Sequence, residues 1–135
     1  MFVDFGSGYN PYKNFKTCDV GYGCSFHSIK DIPNNSCKLI RCRNVMHHIK
    51  NLEEIFSEFN RVLVKGGKLI IIDCSKEHYK TNLLLDNIYY KSIAKNYDIW
   101  YSNKYRDLTK YVNNGFSITK NLEIRSKLWT TLRKN

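Results

Sequence analysis

The sequence predicts an α/β fold: a single domain over residues 1–135 with a mostly parallel seven-stranded sheet, an antiparallel last strand and a first helix that is short or missing. Three observations predict it. An apolar run at residues 1–5 ends in a glycine turn, residues 52–63 have helical spacing, and residues 69–72 are continuously apolar. Such uninterrupted apolar strands are typical of parallel sheets buried on both faces. With 42% apolar residues, the composition excludes a mainly disordered chain.

The first half of the chain contains four predicted strands. They cover residues 1–5, 15–20, 24–28 and 37–43, with turn residues between them. Only the segment from Tyr9 to Asn14 separates the first glycine turn from the second strand. A crossover between parallel strands normally needs a dozen or more residues, so we expect the first helix to be short or missing.

The second half begins with the clearest helix. Its apolar residues recur at helical spacing over residues 52–63, Asn51 is placed to cap its start, and Gly66-Gly67 is predicted to end it. A buried strand is predicted at residues 68–73, and helices are predicted over residues 80–101 and 107–114. A strand at 116–120, a turn at Asn121 and an antiparallel last strand at 122–132 complete the chain.

The sequence also indicates the cellular location of the protein and the state of its cysteines. No apolar run approaches the ~20 residues that span a bilayer, and the N-terminus shows no secretory pattern, so we expect a cytoplasmic protein without membrane segments. The five cysteines form no CxxC pair, which favours reduced thiols and no metal site. The alternative is a site that joins Cys37 and Cys42 to the neighbouring histidines, but their spacing along a strand points the two sulfurs to opposite faces.

The chain is basic, with 22 Lys+Arg against 12 Asp+Glu. Because lysine, asparagine, isoleucine and tyrosine all have A+T-rich codons, genome composition is one explanation of this charge. Residues 76–111 interleave tyrosines and a tryptophan with lysines, a pattern suited to stacking single-stranded RNA bases. The alternative is an amphipathic helix with core aromatics and solvated lysines.

Five segments, in this order and spacing, resemble the class I S-adenosylmethionine-dependent methyltransferases, closest to the type 11 branch. Together they are far more specific than a glycine pair alone. The segments are Val3-Asp4-Phe5-Gly6-Ser7-Gly8, Asp19, Ile32-Pro33-Asn34-Asn35-Ser36, Asn44-Val45-Met46-His47-His48, and residues 61–71. The resemblance implies a Rossmann-like fold with strand order 3-2-1-4-5-7-6 and S-adenosylmethionine as cofactor.

The resemblance also implies a cofactor site. Because glycine has no Cβ, backbone N–H groups in a glycine turn can approach the methionine end of S-adenosylmethionine. An acidic residue after the second strand can accept hydrogen bonds from the ribose hydroxyls. The candidate cofactor-binding residues are Asp4, Gly6, Gly8, Tyr9, Asp19, Asp31, Ile32 and Asn44. His47 and Asp73 are candidate catalytic residues, although His47 is also explained as a packing histidine, and methyl transfer needs mainly alignment.

Three departures from the family pattern concern assembly and activity. The first helix is short or missing, Lys38 stands where an acid is usual, and nothing in this sequence precedes the first strand. The sheet face left exposed predicts a homodimer or a protein partner over the side of the first two strands. The methyl acceptor stays open, with RNA one candidate. The alternative function is a non-catalytic scaffold or activating subunit with the same fold.

Overall fold

The computed structural model describes residues 1–8, 10–21, 23–46, 49, 51–74, 115–124 and 127–135. These residues form six strands, one α-helix and a short 3₁₀ turn. The strands are β1 (Phe2–Phe5), β2 (Lys16–Cys18), β3 (Cys37–Arg43), β4 (Leu63–Cys74), β5 (Phe116–Ile124) and β6 (Lys127–Lys134). The helix is α1 (Leu52–Val62), and the 3₁₀ turn spans Ile29–Asp31. The helices predicted over 80–101 and 107–114 lie outside the described residues.

The six strands form one mixed sheet in the order β2-β1-β3-β4-β6-β5. Strands β1 to β4 are parallel to one another, and β6 runs antiparallel to both β4 and β5. The α/β fold and its antiparallel last strand are therefore confirmed. Within the described ranges the sheet has one strand fewer than predicted.

The missing strand is the one predicted at residues 24–28, which is reduced to a single bridge between Phe26 and Cys18. Side chains replace the ladder there: the Thr17 amide donates to Ser25 Oγ at 3.3 Å, and the Ser25 amide donates to Thr17 Oγ1 at 2.9 Å. Because hydroxyl groups satisfy these amides, the backbone does not continue as a strand.

The connection between β1 and β2 contains no helix in its described residues, 6–8 and 10–15, which confirms the prediction for this crossover. Its residues pack on the sheet directly. The Tyr12 ring lies 5.1 Å from the Phe15 ring, which lies 5.5 Å from the Phe2 ring. The Tyr12 amide also donates to the buried Asp4 carboxylate at 2.8 Å. A short aromatic segment thus covers β1 in place of a helix.

Helix α1 covers the other face of the sheet. The Asn51 side chain caps it by accepting from the Glu54 amide at 3.1 Å, as predicted. Phe56 and Phe59 are fully buried, and the Phe59 ring meets the Phe5 ring edge-on at 5.2 Å. These contacts tie the helix to the carboxyl end of β1, where the candidate site lies.

The predicted end of α1 at Gly66-Gly67 is wrong, because the chain is already extended at Leu63. The Lys134 ammonium satisfies the carbonyls at the helix end, donating to Asn60 O at 2.6 Å and Leu63 O at 2.8 Å. No glycine cap is needed. The glycines instead belong to an irregular stretch of β4, where the register against β3 shifts.

The predicted turn at Asn121 is also wrong. Asn121 lies inside β5 opposite Thr130, whose hydroxyl donates to Asn121 Oδ1 at 3.0 Å. The pairing of β5 with β6 extends to Ile124 and Lys127. Apolar and polar residues alternate through both strands, so the alternation alone does not reveal where β5 ends and β6 begins. Among the described residues, no helix has the length and apolar character to cross a membrane.

Candidate functional site

The glycine turn after β1 is held against β2. Gly6 has φ +68°, and its amide donates to the Cys18 carbonyl at 2.8 Å. A Cβ at Gly6 would overlap the Val45 side chain. Glycine is therefore required there both by conformation and by the close approach of the loop after β3.

Asp19 joins the turns at the ends of β1 and β2. Its Oδ2 accepts from the Gly8 amide at 2.8 Å, and its Oδ1 accepts from the Val20 amide at 2.7 Å. The carboxylate is half-buried. Each carboxylate oxygen has a second lone pair, so both remain able to accept a hydroxyl proton from a ligand.

A cavity of about 310 Å³ opens beside these two turns, at the carboxyl ends of the parallel strands. In open α/β sheets ligands bind at this edge. The volume is at the lower end of the range for small-molecule sites. The lining residues are Phe5, Gly6, Cys18, Asp19, Val20, His27, Ser28, Ile29, Val45 and Ile55.

Ser7 carries a buried hydroxyl without a hydrogen-bond partner. It lies between Gly6 and Gly8 in the turn beside the cavity, and the residue is only 9% exposed. Buried hydroxyls are nearly always hydrogen-bonded, and an orphaned one costs about 1–3 kcal/mol. A turn with free polar capacity beside a mostly apolar cavity and a carboxylate fits a small ligand that combines an aromatic ring system with hydroxyl and other polar groups.

Ser28 and Ile29 form part of one wall of the cavity, and Arg61 fastens the segment that contains them. The Arg61 guanidinium donates to the Ile29 carbonyl at 3.0 Å, to the Ile32 carbonyl at 2.9 Å and to Asn34 Oδ1 at 2.6 Å. It also pairs with Glu58 at 2.7 Å. Arg61 thus connects α1 to the cavity wall.

The structure brings only some of the predicted cofactor residues together. Gly6 and Asp19 line the cavity, and Gly8 contacts Asp19 through its amide. Asp4 lies below the turn on β1, 2% exposed, where Arg41 Nη1 donates to it at 3.1 Å. Tyr9 lies outside the described residues, as does the candidate catalytic residue His47.

Asp31, Ile32 and Asn44 do not line the cavity. Asp31 accepts from the Ser28 amide at 3.0 Å as half of a capping box, and Ile32 is 1% exposed in the core. Asn44 has φ +53°, and its side chain accepts from Lys127 Nζ at 2.6 Å. Asp73, near the end of β4, is half-buried.

The cavity-lining residues that sequence reasoning missed come from five separate segments: Phe5, Cys18 with Val20, His27 to Ile29, Val45, and Ile55. Ser28 and Ile29 stand three residues before the predicted Asp31 and Ile32, and Val45 stands directly after the predicted Asn44. Ile55 comes from the buried stripe of α1, which also serves the core. For Ser28, Ile29 and Val45, the short distance along the chain from a predicted residue was the available signal, and Ile55 had no such signal.

Cys18 lies at the floor of the cavity and is 2% exposed. Burial and, secondarily, the negative charge of Asp19 raise its thiol pKa to about 12. The thiol is therefore neutral at physiological pH and acts as an apolar lining group. Among the described residues, no three His, Cys, Asp or Glu side chains cluster in a way that would hold a metal ion.

Comparisons with known proteins agree with this geometry. Residues 12–71 match the sequence model of a family described as a methyltransferase domain. This range includes Asp19, the cavity wall, β3 and α1, and it begins after the glycine turn. No curated protein sequence matches the chain.

Solved structures share the fold at low sequence identity. A protein described as a type 11 methyltransferase from Sulfolobus solfataricus has a TM-score of 0.66 at 17% identity, covering 100% of this chain and 83% of its own. An S-adenosylmethionine-dependent methyltransferase from Mesorhizobium loti has a TM-score of 0.64 at 12% identity, covering 98% and 90%.

A third similar structure comes from the complex between the Haloferax volcanii Trm112 methyltransferase activator and a methyltransferase. It has a TM-score of 0.67 at 9% identity and covers 98% of this chain and 81% of its own. The sheet order, the glycine turn and the acid after β2 define a class I methyltransferase fold. The chain is similar to the type 11 branch, as its motifs indicated, and that resemblance is confirmed.

Proposed function

We propose that this protein binds S-adenosylmethionine in the cavity and transfers its methyl group to an acceptor. The observation that carries the proposal is the juxtaposition of three features: the Gly6–Gly8 turn with its orphaned Ser7 hydroxyl, the Asp19 carboxylate that accepts from the Gly8 amide, and the cavity that Gly6 and Asp19 line. The single domain over residues 1–135 is part of the same proposal. So is the cytoplasmic location, which the buried free thiols of Cys18, Cys37 and Cys42 favour.

The chain's own groups have separate tasks in binding. Asp19 would accept hydrogen bonds from the ribose hydroxyls through the lone pairs that the Gly8 and Val20 amides do not use. The Ser7 hydroxyl would gain the hydrogen-bond partner it lacks. The apolar side chains of Ile29, Val45 and Ile55 would exclude water from the bound cofactor. When bound, S-adenosylmethionine supplies an electrophilic methyl group on a sulfonium.

Catalysis would rest mainly on alignment of the acceptor with this methyl group. Asp4 and Asp31 would act indirectly, Asp4 beneath the glycine turn and Asp31 through the cap of the cavity wall. Asn44, Asp73, Tyr9 and His47 remain proposed neighbours of the acceptor, with His47 and Asp73 as candidate proton acceptors. These roles follow from the family resemblance and, for Asn44 and Asp73, from position at the ends of β3 and β4.

Titration calorimetry with S-adenosylmethionine and S-adenosylhomocysteine tests the proposal. We expect micromolar binding by the native chain and at least a tenfold loss in Asp19→Asn, because the amide cannot accept at both atoms. Glu123→Gln, an equivalent change at an exposed site on β5, is the matched control. Equal binding by Asp19→Asn and the native chain would contradict the assignment of Asp19.

A second candidate function is a non-catalytic scaffold or activating subunit. It is favoured by the absence of a helix from the described residues between β1 and β2. The similarity to the Haloferax volcanii structure, a complex of a methyltransferase with its activator, also favours it. A protein partner or a second copy of this chain would then cover the side of β1 and β2. Failure to bind either ligand at millimolar concentration would favour this function.

A further inference from the structure

The side chains on the two faces of the sheet differ in charge. Side chains alternate between faces along each strand, and directly paired residues share a face. The registers of the paired strands therefore place six basic residues on the face opposite α1. They are Arg41, Arg43, Lys68, Lys120, Lys127 and Arg133. Of the carboxylates on described strands, Asp73 and Glu123 lie on the α1 face.

The remaining strand carboxylate, Asp4, lies on the same face as these cations but is buried and already paired with Arg41. Four of the cations are exposed: Arg43, Lys68, Lys120 and Arg133. In the described part of this face, the charge available to a ligand is thus entirely positive.

An exposed aromatic group stands among these cations. Trp129 is 42% exposed and pairs directly with Leu122 on β5, itself 41% exposed. Lys120 lies two residues from Leu122, and Arg133 lies four residues from Trp129, all on the same face. We call this set of Arg43, Lys68, Lys120, Arg133, Leu122 and Trp129 the basic face.

We infer that the basic face binds single-stranded nucleic acid. Phosphates would meet the exposed lysines and arginines, and a base would stack on the Trp129 indole, the combination by which sheet surfaces hold unpaired strands. A second copy of this chain does not fit, because joining two basic faces would oppose cations with cations. An acidic protein would satisfy the charges but leaves the flat exposed indole without a specific role.

The basic face also reaches the edge of the sheet where the cavity opens. Arg43 is the last residue of β3. Lys127, the first residue of β6, pairs with Cys74 at the end of β4 and donates to Asn44 just beyond β3. A strand lying along the face from Arg133 to Arg43 would end beside the site. The inference extends to nucleic acid as the methyl acceptor, and only this extension rests on the proposed function.

Fluorescence anisotropy with a labelled oligouridylate of about ten nucleotides tests the inference. The variant is the triple charge reversal Arg43→Glu, Lys120→Glu and Arg133→Glu. The matched control is Lys16→Glu, Lys38→Glu and Lys65→Glu, three exposed lysines outside the basic face with the same total charge change. We expect the affinity to fall more than about tenfold further in the face variant than in the control.

The salt dependence gives a second readout. Loss of three phosphate contacts makes the slope of log affinity against log salt shallower by about two. If the triple variant does not fold, Trp129→Ala against Trp129→Phe replaces it: we expect about a tenfold loss with alanine and near-native binding with phenylalanine.

Three results would overturn the inference: equal losses in the two triple variants, no binding of the oligouridylate, or equally tight binding of polyglutamate, which would favour an acidic protein. Calorimetry with S-adenosylmethionine on the same samples reports the cofactor site separately. Failure of one site is therefore distinguishable from failure of the other.

Discussion

Arg41 and Asp4 form an ion pair between neighbouring strands, with Arg41 Nη1 3.1 Å from Asp4 Oδ1 and side chains only 13% and 2% exposed. The Arg41 guanidinium also lies 4.5 Å from the centre of the Tyr12 ring. Since the Tyr12 amide donates to the same carboxylate, the pair fastens the helix-free crossover to the sheet. The glycine turn begins two residues after Asp4, so the pair supports the base of the candidate site.

Removing one partner of this pair is expected to be costly. Arg41→Leu leaves a buried unpaired carboxylate, and we expect the free energy of unfolding to fall by about 3–5 kcal/mol. The double variant Arg41→Leu with Asp4→Asn keeps an acceptor for the Tyr12 amide and should recover part of the loss. Urea unfolding of the four proteins of this cycle measures the coupling, and additive losses would contradict the pairing.

Gly6 and Gly8 should respond differently to alanine. Both have positive φ, but only a Cβ at Gly6 would meet another group, the Val45 side chain. We expect Gly8→Ala to cost about 1–2 kcal/mol of stability from conformation alone. Gly6→Ala should cost more, and Gly6→Ala with Val45→Ala should recover the steric part. Thermal unfolding measures each, and equal losses in the single variants would show that Val45 does not crowd Gly6.

Arg61 is expected to act as a positioning residue for the cavity wall. Arg61→Lys cannot reproduce the forked contacts to two carbonyls and Asn34, so we expect weaker binding of S-adenosylmethionine and about 1.5–3 kcal/mol lower stability. Glu58→Gln removes only the charge that pairs with Arg61 and is the control. Calorimetry measures affinity under conditions where both variants are folded. A native affinity in Arg61→Lys would contradict the positioning role.

Alkaline pH should destabilise the fold through Cys18. An unfolded thiol loses its proton near pH 9, whereas the folded thiol keeps it to about pH 12. Unfolding therefore releases a proton between these values, and the free energy of unfolding falls as pH rises through this window. Cys18→Ala should flatten that fall. Chemical denaturation at several pH values compares the two proteins, and identical slopes would show that Cys18 titrates normally when folded.

Local pattern was sufficient for most of the fold. The amphipathic period of α1, its Asn51 cap and the apolar run of β4 are properties of neighbouring residues, and the structure has each of them. The crossover after the glycine turn was predictable for a similar reason, since the number of residues available leaves no room for a full helix. Gly6 and Asp19 were also recognisable, because strand ends and turn residues identify them.

What only the tertiary structure decided depends on contacts between distant residues. Lys134 satisfies the end of α1, which frees Gly66-Gly67 for β4, and pairing with Thr130 holds Asn121 inside β5. The cavity wall likewise joins Ser28, Val45 and Ile55 from three segments. The net charge was visible in the sequence, but the grouping of Arg43, Lys68, Lys120 and Arg133 on one face follows from strand register, because a shift of one residue would move every side chain to the other face.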